Sequence, residues 1–372
     1  MGTRDLLYRL TWGGMTTASL LALANTPAGA QSMVQSPTNV PGIGVVAAPP
    51  AGFDPVTATA MVNGQFALPP RPDEAVAPVA YAAWKSAVMA AQNREVSVLE
   101  STNISQGPIK GKQVSSGQGQ AAESAENNII SATSNNWSGT SVINGTTSNV
   151  EAIISLFVVP TAHQAFGACT GGWDYSSLWP GIDGNGGAGG SDVLQAGVEV
   201  DAYCSGGQTG SLYSAWIEWF PYNETRVSSP AINPGDLVYV QVWSTSPTQG
   251  YAYFYNYSTG VSAEYGLTPP AGYSVHGSSL EWIVERPGVG GTLATLTNYI
   301  DSPWSEGIAW NYAASLPTYY FMGNNPTVGT LEQITMNDNN GNGISAATIE
   351  NPDFLWFQDF GSACGSAGSP PC

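Results

Sequence analysis

Three strand-like segments carry amide and carboxylate side chains on the face that would not be needed to form a core. They are 193–201, 212–220 and 279–285. In an extended chain alternate side chains point to opposite sides. Each segment has one apolar face, and a structural strand requires no more than that. We therefore expect chemistry on the second face. The polar residues on these second faces are Gln195, Glu199, Asp201, Glu218, Glu281 and Glu285.

The remaining sequence excludes several hydrolytic mechanisms. Neither His163 nor His276 lies in an HExxH motif, and the chain has no GxSxG, Asp-Thr-Gly or Asp-Ser-Gly sequence and no glycine-rich phosphate loop after a strand. Carboxylates, an amide and aromatic residues are left. They permit glycoside hydrolysis by a carboxylate pair. They also permit peptide hydrolysis in which one carboxylate activates water and an amide stabilises the oxyanion.

The elements that must position these groups are short strands. From about Asn127 onward, runs rich in Val, Ile, Tyr and Trp alternate with turns rich in Gly, Asn, Ser and Pro. This pattern predicts a single antiparallel β-sandwich domain over 127–372. Two further segments, 239–243 and 251–257, each place aromatic residues on one face. We interpret that aromatic face as a candidate groove for peptide or sugar.

The N-terminal third differs in composition. Arg4 and Arg9 precede a short apolar run that ends in Ala28-Gly29-Ala30, which predicts a signal peptide over 1–30. Residues 31–126 are interpreted as a pro-segment, with a helix over 73–100 and a cleavable linker rich in Ser, Gly and Gln over 101–126. The protein is therefore expected to be secreted and extracellular, without a membrane-spanning segment.

Charge argues against nucleic-acid and anionic-membrane partners. The net charge is −18, and from residue 126 onward twenty acidic residues face only Arg226 and Arg286. Few positive charges remain to repel one another once the carboxylates are protonated, so the composition suits an acidic medium. Five basic residues lie in 31–125, and we expect acid to weaken their contact with the acidic domain.

Four cysteines in an exported chain predict two disulfides. We favour Cys169–Cys204 and Cys364–Cys372, and the two other pairings stay open. The spacing does not resemble that of a zinc site, because no CxxC sequence occurs.

Seven motifs occur in an order and at a spacing that resemble those of the glutamic peptidases, or eqolisins, mainly over 130–300. They are Asn136-Trp137-Ser138-Gly139, Phe157-Val158-Val159-Pro160, Trp179-Pro180-Gly181-Ile182-Asp183-Gly184, Leu194-Gln195-Ala196-Gly197, Tyr213-Ser214-Ala215-Trp216-Ile217-Glu218-Trp219-Phe220-Pro221, Ile232-Asn233-Pro234-Gly235-Asp236 and Glu281-Trp282-Ile283-Val284-Glu285.

The resemblance implies a sandwich of two curved antiparallel sheets of concanavalin-like or jelly-roll type, preceded by a partly helical pro-segment. It implies an acid-acting secreted endopeptidase with a catalytic dyad of Gln195 and Glu285. No metal or organic cofactor is implied. The expected partners are protein or peptide substrates and the protein's own pro-segment as inhibitor, and the chain is expected to be a monomer. Phe220 stands where the family often has Tyr. The supporting positions implied are Trp137, Trp179, Asp183, Glu199, Trp216 and Glu218.

Two other functions stay open from the residues alone. A glycoside hydrolase could use two of the carboxyls among Glu199, Glu218, Glu281 and Glu285, and a lectin-like protein could bind carbohydrate on the aromatic face. A pro-segment favours the peptidase, because neither alternative needs latency.

Overall fold

The computed structural model describes residues 40–44, 46–94, 97–107, 115–116, 129–143, 151–165, 169, 171–186, 189–324 and 326–360. A disulfide joins Cys169 to Cys204, which confirms the first predicted pairing. The predicted signal peptide and the predicted Cys364–Cys372 pair lie outside the described residues.

Helices are confined to the first hundred residues of the described chain. Helix α1 (Ala60–Gln65) begins after Thr59, whose hydroxyl accepts a hydrogen bond from the Val62 amide at 3.3 Å. Helix α2 (Pro78–Met89) begins at a proline and is followed by a 3₁₀ turn over Ala90–Gln92. The helix predicted over 73–100 is thus shorter than expected. Of the described helices, neither is long and apolar enough to cross a membrane.

Strands make up most of the rest. In chain order they are β1 (Ile43–Gly44), β2 (Leu99–Ser101), β3 (Ile104–Ser105), β4 (Ser115–Ser116), β5 (Ile129–Ser134), β6 (Trp137–Ile143), β7 (Ala152–Val158), β8 (Gly172–Asp174), β9 (Ser177–Ile182), β10 (Val193–Ser205), β11 (Gln208–Phe220), β12 (Thr225–Val227), β13 (Leu237–Ser246), β14 (Gln249–Asn256), β15 (Val261–Leu267), β16 (Ser279–Glu285), β17 (Gly288–Val289), β18 (Thr292–Leu293), β19 (Asp301–Trp310), β20 (Tyr319–Phe321), β21 (Thr330–Asn337), β22 (Gly343–Asn351) and β23 (Phe354–Asp359).

The strands form two layers, which confirms the predicted mainly antiparallel β-sandwich. One layer, here called the site layer, has the order β12-β11-β10-β9-β16-β6-β21. The other, the back layer, has the order β23-β19-β7-β13-β14-β15. The two layers are continuous at one side, because β21 pairs with β6 over 330–334 and with β22 over 335–337, and β22 then pairs with β23. The pairing of β5 with β21 is parallel.

The main core lies between the layers and follows from strand alternation. On β10 the side chains of Leu194, Ala196 and Val198 point into it, and Val238 and Val240 of β13 point into it from the back layer. All are inaccessible to solvent. Burial of such aliphatic side chains contributes about 1.5–3 kcal/mol each. The intervening residues are therefore free to form the outer face of each layer.

The N-terminal segment comprises residues 40–107, and residues 46–91 of it pack on the outer face of the back layer. Trp84 of α2 is fully buried there, and its indole donates to the Pro69 carbonyl at 2.9 Å. The hydroxyls of Tyr253 and Tyr257 donate to the carbonyls of Ala87 and Ala83 in α2, at 2.8 and 3.1 Å. The interpretation of this aromatic face as an open groove is therefore wrong for the intact chain, since a helix packs on it.

We expect Trp84→Ala to loosen this helix without unfolding the sandwich. Loss of a fully buried tryptophan costs about 3–5 kcal/mol, and Trp84 packs against the back layer and not in the main core. Amide hydrogen exchange should accelerate in α2 and stay unchanged in β13. Val79→Ala, at a 38% exposed position of the same helix, is the matched control. Equal protection of α2 in both variants would contradict this role of Trp84.

Candidate active site

The predicted site residues lie on the outer face of the site layer, opposite the main core. Gln195 on β10 is in register with Glu218 on β11, and Glu285 on β16 is in register with Trp137 on β6. The residues between them along each strand point into the core, so these polar side chains share one face. The floor of this face is apolar and aromatic. It includes Trp137, Trp179, Val193, Trp216 and Ile283.

Glu285 lies at the centre of three hydrogen-bond donors. The Gly107 amide donates at 2.9 Å, the Asn136 side-chain amide at 2.9 Å and the Trp179 indole at 3.0 Å. Trp137 packs edge-on against Trp179, with ring centroids 5.2 Å apart. Burial raises the pKa of Glu285 to about 8, because it outweighs the opposite effect of these donors.

Gln195 is held by Glu218 and by the N-terminal segment. Its Nε2 donates to the Gln106 carbonyl at 2.8 Å and to Glu218 Oε2 at 3.3 Å. The Gln106 backbone amide also donates to Glu218 Oε2, at 2.9 Å. A single peptide group, Gln106–Gly107, therefore joins the two predicted catalytic side chains: its oxygen contacts Gln195 and its nitrogen contacts Glu285.

A cluster of buried carboxyls surrounds the Gln106 side chain. Gln106 Nε2 donates to Glu199 Oε1 and, at 2.9 Å, to Glu224 Oε2. Burial raises the pKa of Glu199 and Glu224 well above the ordinary glutamate value. The charge of Asp201 raises the pKa of Glu199 further, and the charge of Glu199 raises that of Glu224. Burial likewise raises the pKa of Asp201 to about 7. The carboxyls of this cluster therefore retain protons in acid and at mildly acidic pH.

Five of the six supporting residues implied by the resemblance lie at this site, and Asp183 does not. Asp183 follows β9 and accepts hydrogen bonds from the backbone amides of His276 at 2.7 Å, Gly277 at 3.1 Å and Ser278 at 2.7 Å. Its backbone has a φ of 72°, which fits a turn. This carboxylate therefore fixes the loop before β16. The five residues at the site are Trp137, Trp179, Glu199, Trp216 and Glu218.

Glu281 lies on the same strand and face as Glu285 but contacts neither Gln195 nor Gln106. Its Oε1 accepts a hydrogen bond from the Ser141 hydroxyl at 3.2 Å, and burial raises its pKa well above the ordinary value. Within the described residues no cluster of histidine, cysteine and carboxylate side chains is arranged to hold a metal ion.

Sequence reasoning missed Asn136, Glu224 and the Gln106–Gly107 peptide as site components. Asn136 was visible, because it precedes Trp137 at the start of the strand that pairs with the Glu285 strand. Glu224 lies in a loop after a predicted strand, where no alternation of polar and apolar residues indicates which way its side chain points. Gln106 falls in a stretch whose composition indicates only a linker.

The N-terminal segment reaches the site as an added strand. β2 pairs with β12 at the edge of the site layer, the Glu224 amide donates to the Ile104 carbonyl at 2.9 Å, and β3 pairs with β17. This placement follows from the open edge of β12, which offers unpaired backbone groups. Residues 104–107 then cross the outer face of the site layer.

The expectation that acid weakens this contact by discharging ion pairs stays a prediction, and Lys110 and Lys112 lie outside the described residues. Arg94 pairs with Glu264 of β15, which fits the expectation, but Arg71 donates to the Val56 carbonyl inside the N-terminal segment at 3.1 Å. The docked segment buries carboxyls of raised pKa, such as Glu285. Since docking favours the protonated forms of these groups, acid stabilises this part of the contact.

Comparisons with known proteins agree with the motifs. The sequence model of the peptidase A4 family matches residues 135–318. Aspergillopepsin-2 of Aspergillus niger is 29% identical over 178 residues, which are 45% of this chain and 61% of that protein. Scytalidopepsin B of Scytalidium lignicola is 29% identical over 150 residues, 40% of this chain and 51% of that protein. The chain thus spans less than two thirds of the length of either relative.

Two crystal structures align with this chain at low identity. Scytalido-glutamic peptidase with a transition state analog inhibitor aligns at 19% identity and a TM-score of 0.47, over 60% of this chain and 98% of that chain. Aspergilloglutamic peptidase from Aspergillus niger aligns at 24% identity and a TM-score of 0.41, over 50% of this chain and 99% of that chain.

Proposed function

Because the chain belongs to the peptidase A4 family of glutamic peptidases, we propose that it is a secreted endopeptidase that hydrolyses protein substrates in acid through Gln195 and Glu285. The single observation that carries the proposal is the peptide group between these side chains. The Gln106 carbonyl oxygen lies 2.8 Å from Gln195 Nε2, and the Gly107 nitrogen lies 2.9 Å from Glu285 Oε1. A substrate peptide bound in this way would present its carbonyl group to Gln195 and its leaving nitrogen to Glu285.

The mechanism follows from these contacts. Ionised Glu285 takes a proton from a water molecule, and the resulting hydroxide adds to the substrate carbonyl carbon. Gln195 Nε2 donates to the oxygen on which negative charge develops, as an oxyanion donor does. Glu285 then transfers the proton to the departing nitrogen and is ionised again. The chemistry needs no group beyond these two side chains and water.

Neighbouring side chains orient the dyad. Glu218 accepts a hydrogen bond from Gln195 Nε2, which turns the nitrogen of that amide, and not its oxygen, toward the substrate carbonyl. Asn136 and Trp179 fix the position of the Glu285 carboxyl and favour its ionised form. Trp137 supports Trp179 from the side. These contacts reduce the reorganisation that catalysis would otherwise require.

In this proposal residues 1–30 direct export and residues 31–126 form an inhibitory pro-segment. Support for inhibition comes from residues 104–107, which occupy the position of a substrate and exclude water from Glu285. The mature enzyme would comprise the sandwich and act as a monomer. Removal of the pro-segment would admit water to Glu285 and lower its pKa toward the acidic range in which the enzyme works.

Gln195→Ala is expected to lower kcat by about 10²–10³-fold, since that is the typical effect of removing one oxyanion donor. Combined with Glu285→Gln it should add little further loss, because groups that act on one step are not additive. The variants would be compared on one peptide at one acidic pH. Independent, multiplicative losses in the double variant would contradict joint action of the two residues.

The proposed function is tested by incubating the processed protein with a denatured protein at pH 3–4 and at pH 7, with product masses as the readout. We expect internal peptide-bond cleavage in acid and little at neutral pH. A polysaccharide incubated in parallel should stay intact. Cleavage of polysaccharide without cleavage of protein, or a maximum at neutral pH, would contradict the proposal.

A further inference from the structure

We infer that this enzyme cuts its own chain between Gln106 and Gly107, and that the pocket around Gln106 selects glutamine followed by glycine in other proteins as well. This inference rests on the proposed function and deepens it, because it names the first substrate and the residue pair that the site recognises. It depends on three features of the docked segment: its backbone, the Gln106 side chain and the space at Gly107.

The backbone of the segment is bound as a substrate would be. The Gln106 carbonyl oxygen contacts the oxyanion donor of Gln195, and the Gly107 nitrogen contacts the proton carrier Glu285. Upstream, β2 pairs in register with β12, from Leu99 with Val227 to Ser101 with Thr225. Downstream, Asn136 Nδ2 donates to the Gly107 carbonyl at 2.9 Å. Contacts on both sides therefore fix which peptide bond meets the dyad.

The Gln106 side chain fills a pocket that binds the NH₂ group of a primary amide. It is fully buried, and its single nitrogen donates to both Glu199 and Glu224. An amide nitrogen has two hydrogens, so one glutamine supplies both carboxyls. Leucine at this position would leave two buried acceptors without a donor, and a protonated glutamate, which has a single O–H, would supply only one of them. The pocket therefore discriminates against apolar and acidic residues of similar size.

The space at Gly107 excludes most side chains. A Cβ atom there would lie 3.1 Å from the Phe220 ring, and the backbone has a φ of 134°, which side-chain-bearing residues rarely adopt. A larger residue would have to displace Phe220 and change the backbone. Phe220 thus restricts the residue after the scissile bond, at a position where the sequence resemblance alone indicated only a missing hydroxyl.

The reaction is a hydrolysis and consumes one water molecule, which reaches Glu285 when the docked segment shifts far enough to admit it and to let Glu285 ionise. The C–N bond between Gln106 and Gly107 breaks, a C–OH bond forms at the Gln106 carbonyl carbon, and the proton taken up by Glu285 passes to the Gly107 nitrogen. The products are a chain ending in a Gln106 carboxyl and a chain beginning with the Gly107 amine. Because the two ends are no longer joined, residues 99–106 are then held only as a cleaved product and can leave β12.

Full-length protein at pH 4, sampled over time at two concentrations tenfold apart, tests the inference. Intact mass and N-terminal sequencing should show one early cut that yields a fragment ending at Gln106 and a new terminus at Gly107. The rate should be first order and independent of concentration, since the bond lies in the active site of its own chain. Full-length Glu285→Gln should stay uncut at this bond.

Pocket variants provide the matched comparison. Gln106→Leu and Gln106→Glu should each slow the cut at this bond by about 10–100-fold, the effect of leaving a buried polar group unpaired. Gln65→Leu, at an exposed residue of α1, should process at the wild-type rate. Because a Gln106 variant could dock poorly, the mature enzyme is also given three octapeptides: residues 103–110, and the same peptide with leucine or glutamate in place of Gln106. For the leucine and glutamate peptides kcat/KM should fall by the same factor.

The outcomes separate this inference from the proposed function. The inference is wrong, and the proposed function stands, if the enzyme digests denatured protein but cuts its own chain first at another bond. The same holds if it processes Gln106→Leu at the wild-type rate and cleaves the three octapeptides equally well. If folded, processed protein fails to digest denatured protein at any acidic pH, the proposed function is wrong. Early appearance of a new N-terminus at Gly107, together with a preference for the glutamine octapeptide, supports both the inference and the proposed function.

Discussion

Glu285→Gln is expected to abolish turnover while the sandwich stays folded. Glutamine nearly keeps the shape of the side chain and still offers one oxygen to the converging donors of Gly107, Asn136 and Trp179. It cannot accept and return a proton. General acid–base groups typically contribute about 10²–10⁴-fold to the reaction rate. Because no other titratable side chain contacts the Gly107 nitrogen in the part of the chain that the structure describes, we expect a loss of rate at or above the upper end of that range.

Glu281→Gln is the matched control for this variant. Glu281 lies four residues earlier on the same strand and face, is equally buried, and has a raised pKa for the same reason. Its hydrogen-bond partners include the hydroxyls of Ser141 and Ser279, and they do not include the peptide at the dyad. It should retain most of the activity. Both variants would be checked by circular dichroism and assayed on one peptide at one acidic pH. Near-normal turnover by folded Glu285→Gln would reopen the glycosidase and lectin alternatives.

The fold was predictable where alternation is regular. On β10 and β13 every second residue is apolar, so the sequence indicates which residues face the core, and those residues do lie in it. The continuity of the layers was not predictable, because β21 changes partners at Thr335 without any break in composition. The coverage of Tyr253 and Tyr257 by α2 was also hidden. An aromatic strand face looks the same whether it binds a ligand or a helix of its own chain.

At the site, the prediction that Gln195 and Glu285 form a dyad came from the resemblance, and the surroundings of these two side chains came from the structure. Spacing places Gln195 and Glu285 on non-core faces but cannot say that they meet. Asp183 shows the opposite error, since its motif resembles that of a functional residue although its carboxylate fixes a turn. Gln106 and Gly107 were invisible because their role depends on the path of a short strand along β12, and a linker composition does not encode that path.

Stability is expected to be highest in acid and to fall as the pH rises from about 5 to 8. Burial raises the pKa of Glu285 and of Glu306 to about 8 and that of Asp201 to about 7. Over the interval between the ordinary and the raised value the folded chain holds more protons than the unfolded chain. Such a group therefore stabilises the fold below its ordinary pKa, and this contribution is lost as the pH rises through the raised value.

Urea unfolding of an uncut chain measures this dependence, so every protein in the series carries Glu285→Gln. Adding Glu306→Gln removes one buried carboxyl, whose pKa is raised first by burial and then by the charge of Asp353. Between pH 5 and 8 the slope of the free energy of unfolding against pH should become less negative by up to about 1.4 kcal/mol per pH unit. This is the slope that corresponds to a difference of one bound proton between the folded and unfolded chains. Adding Gln65→Leu, at an exposed and non-titratable position of α1, should leave the slope unchanged. A stability that is flat or rises from pH 5 to 8 would show that these carboxyls are hydrated in solution and that burial does not control their protonation.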